Sequence, residues 1–252
     1  MSPEASAEEL WQLLASRADP DFAATVQRYF PTPIDALGVS NATVARLAYD
    51  YTEAHPELSA HDRLAIADRV IGQAGHHEEV LLGFALLHRV AKRELGPELL
   101  EHSRRWLETA VTNWAQCDDL CLKLLYPYFL GHLDDIPLTR AWVSSPGSWA
   151  RRAANVAVVK FVVRKVGKQV YRLPLEHVLD NCRALMLDED VYVQKGCGWL
   201  LKVTAPVHPL EVEEFLRTWH HQMKRDTFRY ALEKVDPTTR AQLMSLTGGA
   251  SR

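Results

Sequence analysis

The chain has 252 residues, 47% hydrophobic and 24% charged, with a net charge of −3. That is long enough for a full hydrophobic core and too apolar for an intrinsically disordered protein. No run approaches the ~18 to 20 uninterrupted apolar residues a membrane-spanning helix requires, so no membrane segment is expected. The four cysteines, Cys117, Cys121, Cys182 and Cys197, are sparse, which suits reduced buried thiols and a cytoplasmic protein. The acidic start "MSPEASAEELWQLL" lacks the basic and then apolar regions of a secretory signal.

Charge is unevenly divided. Residues 1–126 carry 11 Lys/Arg against 19 Asp/Glu, and residues 127–252 carry 18 against 13. Within the second half, "RRAANVAVVKFVVRKVGKQVYR" (151–172) holds seven basic residues and no acid. Such a run is either an electrostatic footprint for phosphate or a solvated helix face.

In chain order, the first residues, "MSPEASA", read as an unstructured tail. "HHEEVLLGFALLHRVAKREL" (76–95) follows the i, i+3, i+4, i+7 rule of an amphipathic helix, with charges on its other side. Breaks at 55–59, 96–100, 144–148, 172–176 and 205–211 place Pro where a first helical turn tolerates it. After them, long helices are expected to begin near His77, Trp114, Trp149, Asp190 and Lys224, spaced 37, 35, 41 and 34 residues apart. Each is expected to be preceded by a shorter helix carrying a similar apolar stripe, as in "PELLEHSRRWLETAV", "PLEHVLDNCRALML" and "PLEVEEFLRTWHHQM". Two helices per 35 to 40 residues predict an all-α protein, a curved α-solenoid of HEAT-like helix pairs forming one repeat domain over residues 1–252 with a core of about 10–243. If the second helices share one concave side, Trp114, Trp149, Arg152 and Trp199 face one groove.

Three stretches carry chemistry. In "TNWAQCDDLC" (112–121), Trp114 and Asp118 lie four residues apart and so share a helix face, with Cβ atoms roughly 5 to 6 Å apart. Asp119 is turned about 100° away, toward solvent or a neighbouring basic residue. Cys117 and Cys121 lack two further ligands, and with no HExxH or CxxC in the chain they read as packing cysteines rather than a metal pair. In "SWARRAANVAVVKF" (148–161), Arg151 and Arg152 near a helix start are suited to hold phosphate, unless they are plain surface charge. Lys160 of the same run is a further candidate phosphate contact. The Val-rich "VAVVKFVV" (156–163) has no turn signal beside it and reads as the buried part of a long helix. In "DEDVYVQKGCGWLLK" (188–202), Gly196 and Gly198 each cost a helix roughly 0.5 to 1 kcal/mol relative to Ala, which implies close approach by another helix or a ligand. Trp199 beyond them is a core residue or an aromatic wall, and Lys195 joins the candidate phosphate contacts. The tail "SLTGGASR" reads as unstructured.

These stretches carry a resemblance. "NWAQCDDL" resembles the tryptophan-x-x-x-aspartate helix of the AlkD-type DNA alkylation repair family, HEAT-repeat glycosylases for alkylated purines. "SWARRAANV" resembles its tryptophan-x-x-arginine helix and "VYVQKGCGWLLK" its glycine-tryptophan helix, the most specific of the three. "YFPTPIDALGVSNATVARL" (29–47) is similar to its N-terminal segment. The likeness runs from about residue 25 to 243, with departures at Asn113, Ala115 and Ser40. It implies a DNA glycosylase for cationic N3- or N7-alkylpurines in duplex DNA, working without cofactor or metal in base excision repair or alkylation resistance. Asp118 is then the catalytic carboxylate, Trp114 and Trp199 flank the deoxyribose, and Arg152 holds the backbone. A monomer in the cytoplasm is expected, nucleoid-associated when bound to DNA. The alternatives are a non-catalytic HEAT-repeat module for damaged or branched DNA, and a protein-binding solenoid with no nucleic-acid role.

Overall fold

Short polar residues start six of the helices in the computed structural model, which describes residues 2–246. Side chains of Ser2, Asp19, Ser40, Ser59, Asn113 and Asp190 each accept backbone N–H bonds at a helix start, satisfying donors the helix itself leaves unpaired. Fourteen α-helices result among the described residues, with one two-stranded sheet. The fold is all-α. Contacts divide it at His132/Leu133 into two compact units.

The first unit contains α1 (Pro3–Ala15), α2 (Pro20–Gln27), α3 (Asn41–Ala54), α4 (Ala60–Gly72), α5 (His77–Leu87), α6 (Glu98–Thr109), α7 (Trp114–Asp119) and α8 (Tyr126–Gly131). Here α5 packs against α3, α4 and α7, and α1 packs on α4. Because α5 has neighbours on several sides, Val80, Leu82, Phe84, Leu86 and Leu87 are all buried, and it is apolar around most of its circumference rather than amphipathic. It ends at Leu87, and the residues to Leu95 form turns, so the expected helix over 76–95 is half as long. The expected N-terminal tail is also overturned. Ser2 caps α1, whose Ala7, Leu10 and Leu14 are buried against the unit.

The second unit begins with a 3-10 stretch, Leu133–Ser144, followed by α9 (Ser148–Val156), β1 (Val163–Val166), β2 (Gln169–Arg172), α10 (Leu175–Leu185), α11 (Val191–Thr204), α12 (Pro209–Trp219), α13 (Arg225–Ala231), a 3-10 turn (Leu232–Lys234) and α14 (Pro237–Leu246). α11 is its centre, packed against α9, α10 and α13. α5, α7, α9, α11 and α13 start within one residue of the positions the repeat predicted, but α7, α9 and α13 are short, and α6 and α12 are longer than the helices that follow them, the reverse of the expected order. Of "SLTGGASR", Ser245 and Leu246 close α14, and the other six residues lie outside those described.

The Val-rich stretch corrects the reading as one long helix. α9 stops at Val156, buried tight turns carry Val158, Val159 and Val162, and only Val163 enters the antiparallel hairpin, paired Val163↔Arg172 through Val166↔Gln169. Its loop is Gly167-Lys168, with Gly167 at φ 60°, the left-handed backbone that a two-residue hairpin turn requires at its first position.

Candidate active site

In the first unit, an interlocked set of hydrogen bonds fixes the start of α7. Asn113 Oδ1 accepts from the N–H groups of Ala115 and Gln116, both at 3.1 Å. Gln116 reaches back, accepting from Thr112 N at 2.9 Å and donating to the His77 carbonyl at 3.3 Å. The Asn113 amide meets His77 Nδ1 at 3.1 Å. Burial lowers the His77 pKa, with Glu78 opposing, so the neutral ring accepts that bond. The departure from the family pattern at Asn113 is thus a helix cap, and the one at Ser40 caps α3.

Trp114 and Asp118 follow on one side of α7, both partly exposed. Phe30 stacks on the Trp114 ring, centroids 5.4 Å apart and planes at 28°, and meets His77 edge-on at 5.7 Å. The loop bearing Phe30 is tied to the start of α5. Buried Glu78 accepts from Leu37 N, Gly38 N and Val39 N at 2.8 to 3.1 Å, and His77 N donates to Asp35 O at 2.7 Å. The sequence marks His77 only as a helix start and does not single out Phe30. The signal was the aromatic pair in "RYFPTP", inside the segment similar to the family's N-terminal part.

Asp119 is not at the surface. It is 8% exposed and paired with Lys123, the neighbouring base anticipated, and burial raises its pKa against the pull of that lysine. With Asn41, Val44, Leu81, Ala85 and His88, the pair lines a pocket of about 290 Å³. Beyond Asp119 the helix widens into a π-helical turn, Leu120–Leu125. Pro127 explains it, because a proline in a helix clashes with the carbonyl four residues back, here Lys123, and the wider turn relieves that clash. Cys117 and Cys121 are fully buried and pack, as expected.

In the second unit, Tyr192 gathers several of the expected residues. Trp149 lies 5.5 Å from its ring, Lys195 Nζ sits 5.3 Å from its centroid, and Arg152 Nη1 donates to its carbonyl at 2.7 Å. Arg152 is only 5% exposed, while Lys195 and Lys160 are exposed. Arg151 is turned to the scaffold. Its Nε and Nη2 bind the two Asp188 oxygens at 2.6 and 3.2 Å, and its Nη1 bonds the carbonyls of Ser145 and Pro146, both at 2.9 Å. Four of its five N–H donors are used, which leaves at most one for a phosphate. Burial opposes ionisation of Asp188, but bonds from Arg151 and Asp190 N outweigh it and hold the carboxyl below its usual range.

The glycine question is answered by helices. A Cβ on Gly196 would lie 3.4 Å from the Arg152 carbonyl of α9, and one on Gly198 would lie 3.0 Å from the Thr227 carbonyl of α13. α11 is therefore gripped on two sides, and Trp199, partly exposed, follows directly from the second contact.

A family model described as DNA alkylation repair enzyme matches residues 10–235, and the chain belongs to that family. A structure described as a predicted DNA alkylation repair enzyme from Enterococcus faecalis is similar with a TM-score of 0.72 at 16% identity, covering 88% of this chain and 98% of its own. The crystal structure of smu.31 from Streptococcus mutans UA159 is similar at 0.56 and 20% identity, covering 78% and 99%. At these identities the likeness concerns the fold. No curated protein matches the chain.

Proposed function

We propose that the protein is a monofunctional DNA glycosylase that hydrolyses the N-glycosidic bond of cationic N3- or N7-alkylated purines in duplex DNA. The observation that carries the reading is Asp118 one turn from Trp114 on α7, both reachable from solvent, with Trp114 steadied by Phe30.

Sugar hydrolases generally pair a carboxylate with an acid that protonates the leaving group. A purine alkylated at N3 or N7 already carries a positive charge. When the C1′–N bond breaks, its electron pair neutralises the base, which departs without an added proton. Asp118 then opposes the charge developing on the sugar and receives a proton from the water that attacks C1′. A carboxylate about 4 Å from that cation, at an effective dielectric near 20, contributes roughly 4 kcal/mol, near a thousandfold in rate if felt only in the transition state. The Trp114 face adds about 0.5 to 2 kcal/mol of cation–π attraction. The family resemblance assigns Trp199 a similar role on the sugar, a separate proposal tested by Trp199→Ala.

Single-turnover release of 7-methylguanine from a defined duplex, wild type against Asp118→Asn, tests the reading. Release by wild type is expected to fall by about a thousandfold in the variant while duplex affinity is kept. Equal release by both proteins would overturn the role of Asp118.

A further inference from the structure

The basic run of residues 151–172 is divided by the fold. Its first part enters α9, where Asp188 holds Arg151 and Arg152 donates to the Tyr192 carbonyl, and its last ten residues form the β1–β2 hairpin. The two faces of that hairpin differ. Arg164, Tyr171 and Val166 are half-buried, and Tyr171 meets the buried Phe161 edge-on at 6.2 Å. At the root, Leu173 N bonds the carbonyls of Phe161 and Val162. The opposite face carries the pairs Val163↔Arg172 and Lys165↔Val170, all four exposed, with Lys168 at the tip. Val163 is 39% exposed and Val170 54%. Lys165, Lys168 and Arg172 make no ion pair among the described residues.

Folding alone accounts poorly for that face. Positive charge on a short edge strand does discourage aggregation. Two exposed branched apolar residues set between those charges have the opposite effect, and an outward hairpin face normally carries polar side chains. Both features suit one occupant. Duplex DNA offers phosphates on either side of a groove, and the major groove also offers the apolar thymine methyl. That groove is about 12 Å wide and admits a two-stranded ribbon, whereas the minor groove, about 6 Å wide, is too narrow for two strands about 4.8 Å apart with their side chains.

We propose that the β1–β2 hairpin is a DNA-contacting ribbon seated in the major groove, with Lys165, Lys168 and Arg172 on phosphates and Val163 and Val170 on the groove's apolar edge. This rests on the DNA-directed reading above, but not on its chemistry.

The test is duplex affinity across a salt series, measured on the Asp118→Asn protein with an undamaged duplex so that turnover does not interfere. Replacing Lys165, Lys168 and Arg172 by Gln together is expected to reduce the log–log salt slope by about 2.7 and weaken binding at 0.15 M salt on the order of a hundredfold. Val163→Ser/Val170→Ser is expected to weaken binding with the slope unchanged. Thermal melting matching the parent establishes that both variants fold. A triple variant with the parent's slope and affinity would overturn the proposal. So would an equal loss on duplex RNA, whose major groove is too deep and narrow to be read. Because binding is measured without the Asp118 carboxylate, the result stands apart from whether wild type excises a base.

Discussion

Acid should destabilise this protein through two buried histidines, and His177 gives the clearer magnitude. It lies on α10, 2% exposed, and its Nε2 has no partner among the described residues. Burial, then the charge of Arg140, pushes its pKa down to about 4, with Asp180 opposing. In the unfolded chain the ring titrates near 6.5. The folded state therefore excludes a proton that the unfolded state takes up. The stability that results is complete above pH 6.5 and is lost as pH falls toward 4. Between pH 7 and pH 5 this one ring costs about 2 kcal/mol, approaching about 3 kcal/mol below pH 4. Urea denaturation at pH 7 and pH 5, wild type against His177→Gln, isolates the effect. Whatever the variant's stability at pH 7, its loss on acidification should be smaller by about 2 kcal/mol. Parallel losses would refute the reasoning. His88, with its pKa pushed down to about 4 by burial and then by Lys123, supplies an equivalent comparison in the first unit.

Asn113→Ala removes two cap bonds and the amide on His77, so it should cost about 1 kcal/mol in denaturation and slow single-turnover release while duplex affinity is kept. Asp119→Asn should leave stability at pH 7 within about 1 kcal/mol and retain base release, in contrast to Asp118→Asn, because Lys123 is half exposed and keeps its water. The raised Asp119 pKa means its carboxyl favours folding below pH 3.8 and loses that contribution as pH rises through the folded value, so the variant should lack this decline in acid denaturation curves. Gly198→Ala forces a Cβ to 3.0 Å from the Thr227 carbonyl and should destabilise by about 1 kcal/mol despite better helix propensity. Gly196→Ala, whose nearest contact is 3.4 Å, should be neutral or gain up to about 1 kcal/mol in thermal or urea unfolding.

The contrast between these two glycines marks where sequence reasoning stops. Their cost to a helix was legible, and so was the need for a close neighbour. The identity of that neighbour, α9 for one and α13 for the other, depended on residues over 25 positions away. Arg151 is similar. Its charge and its place near a helix start suited a phosphate, but Asp188, 37 residues on, takes its guanidinium. Phe30 reaches Trp114 across 84 residues, and the buried Glu78 with its three backbone donors, together with the His77–Asp35 bond, fixes the loop that brings it there.

The sequence by itself determined the all-α class, the starts of α5, α7, α9, α11 and α13, the burial of Cys117 and Cys121, and the shared face of Trp114 and Asp118. Each follows from interactions within a few residues: caps, prolines, and the 3.6-residue period that sets which side chains lie together. Tertiary structure alone decided that a Val-rich run became buried turns leading into a hairpin, that α1 folds onto α4, that α5 is enclosed, and that Asp119 is buried while Asp118 stays accessible. Apolar residues signal burial without specifying the backbone that achieves it, and the partner of a charge is chosen by what distant parts of the chain bring within reach.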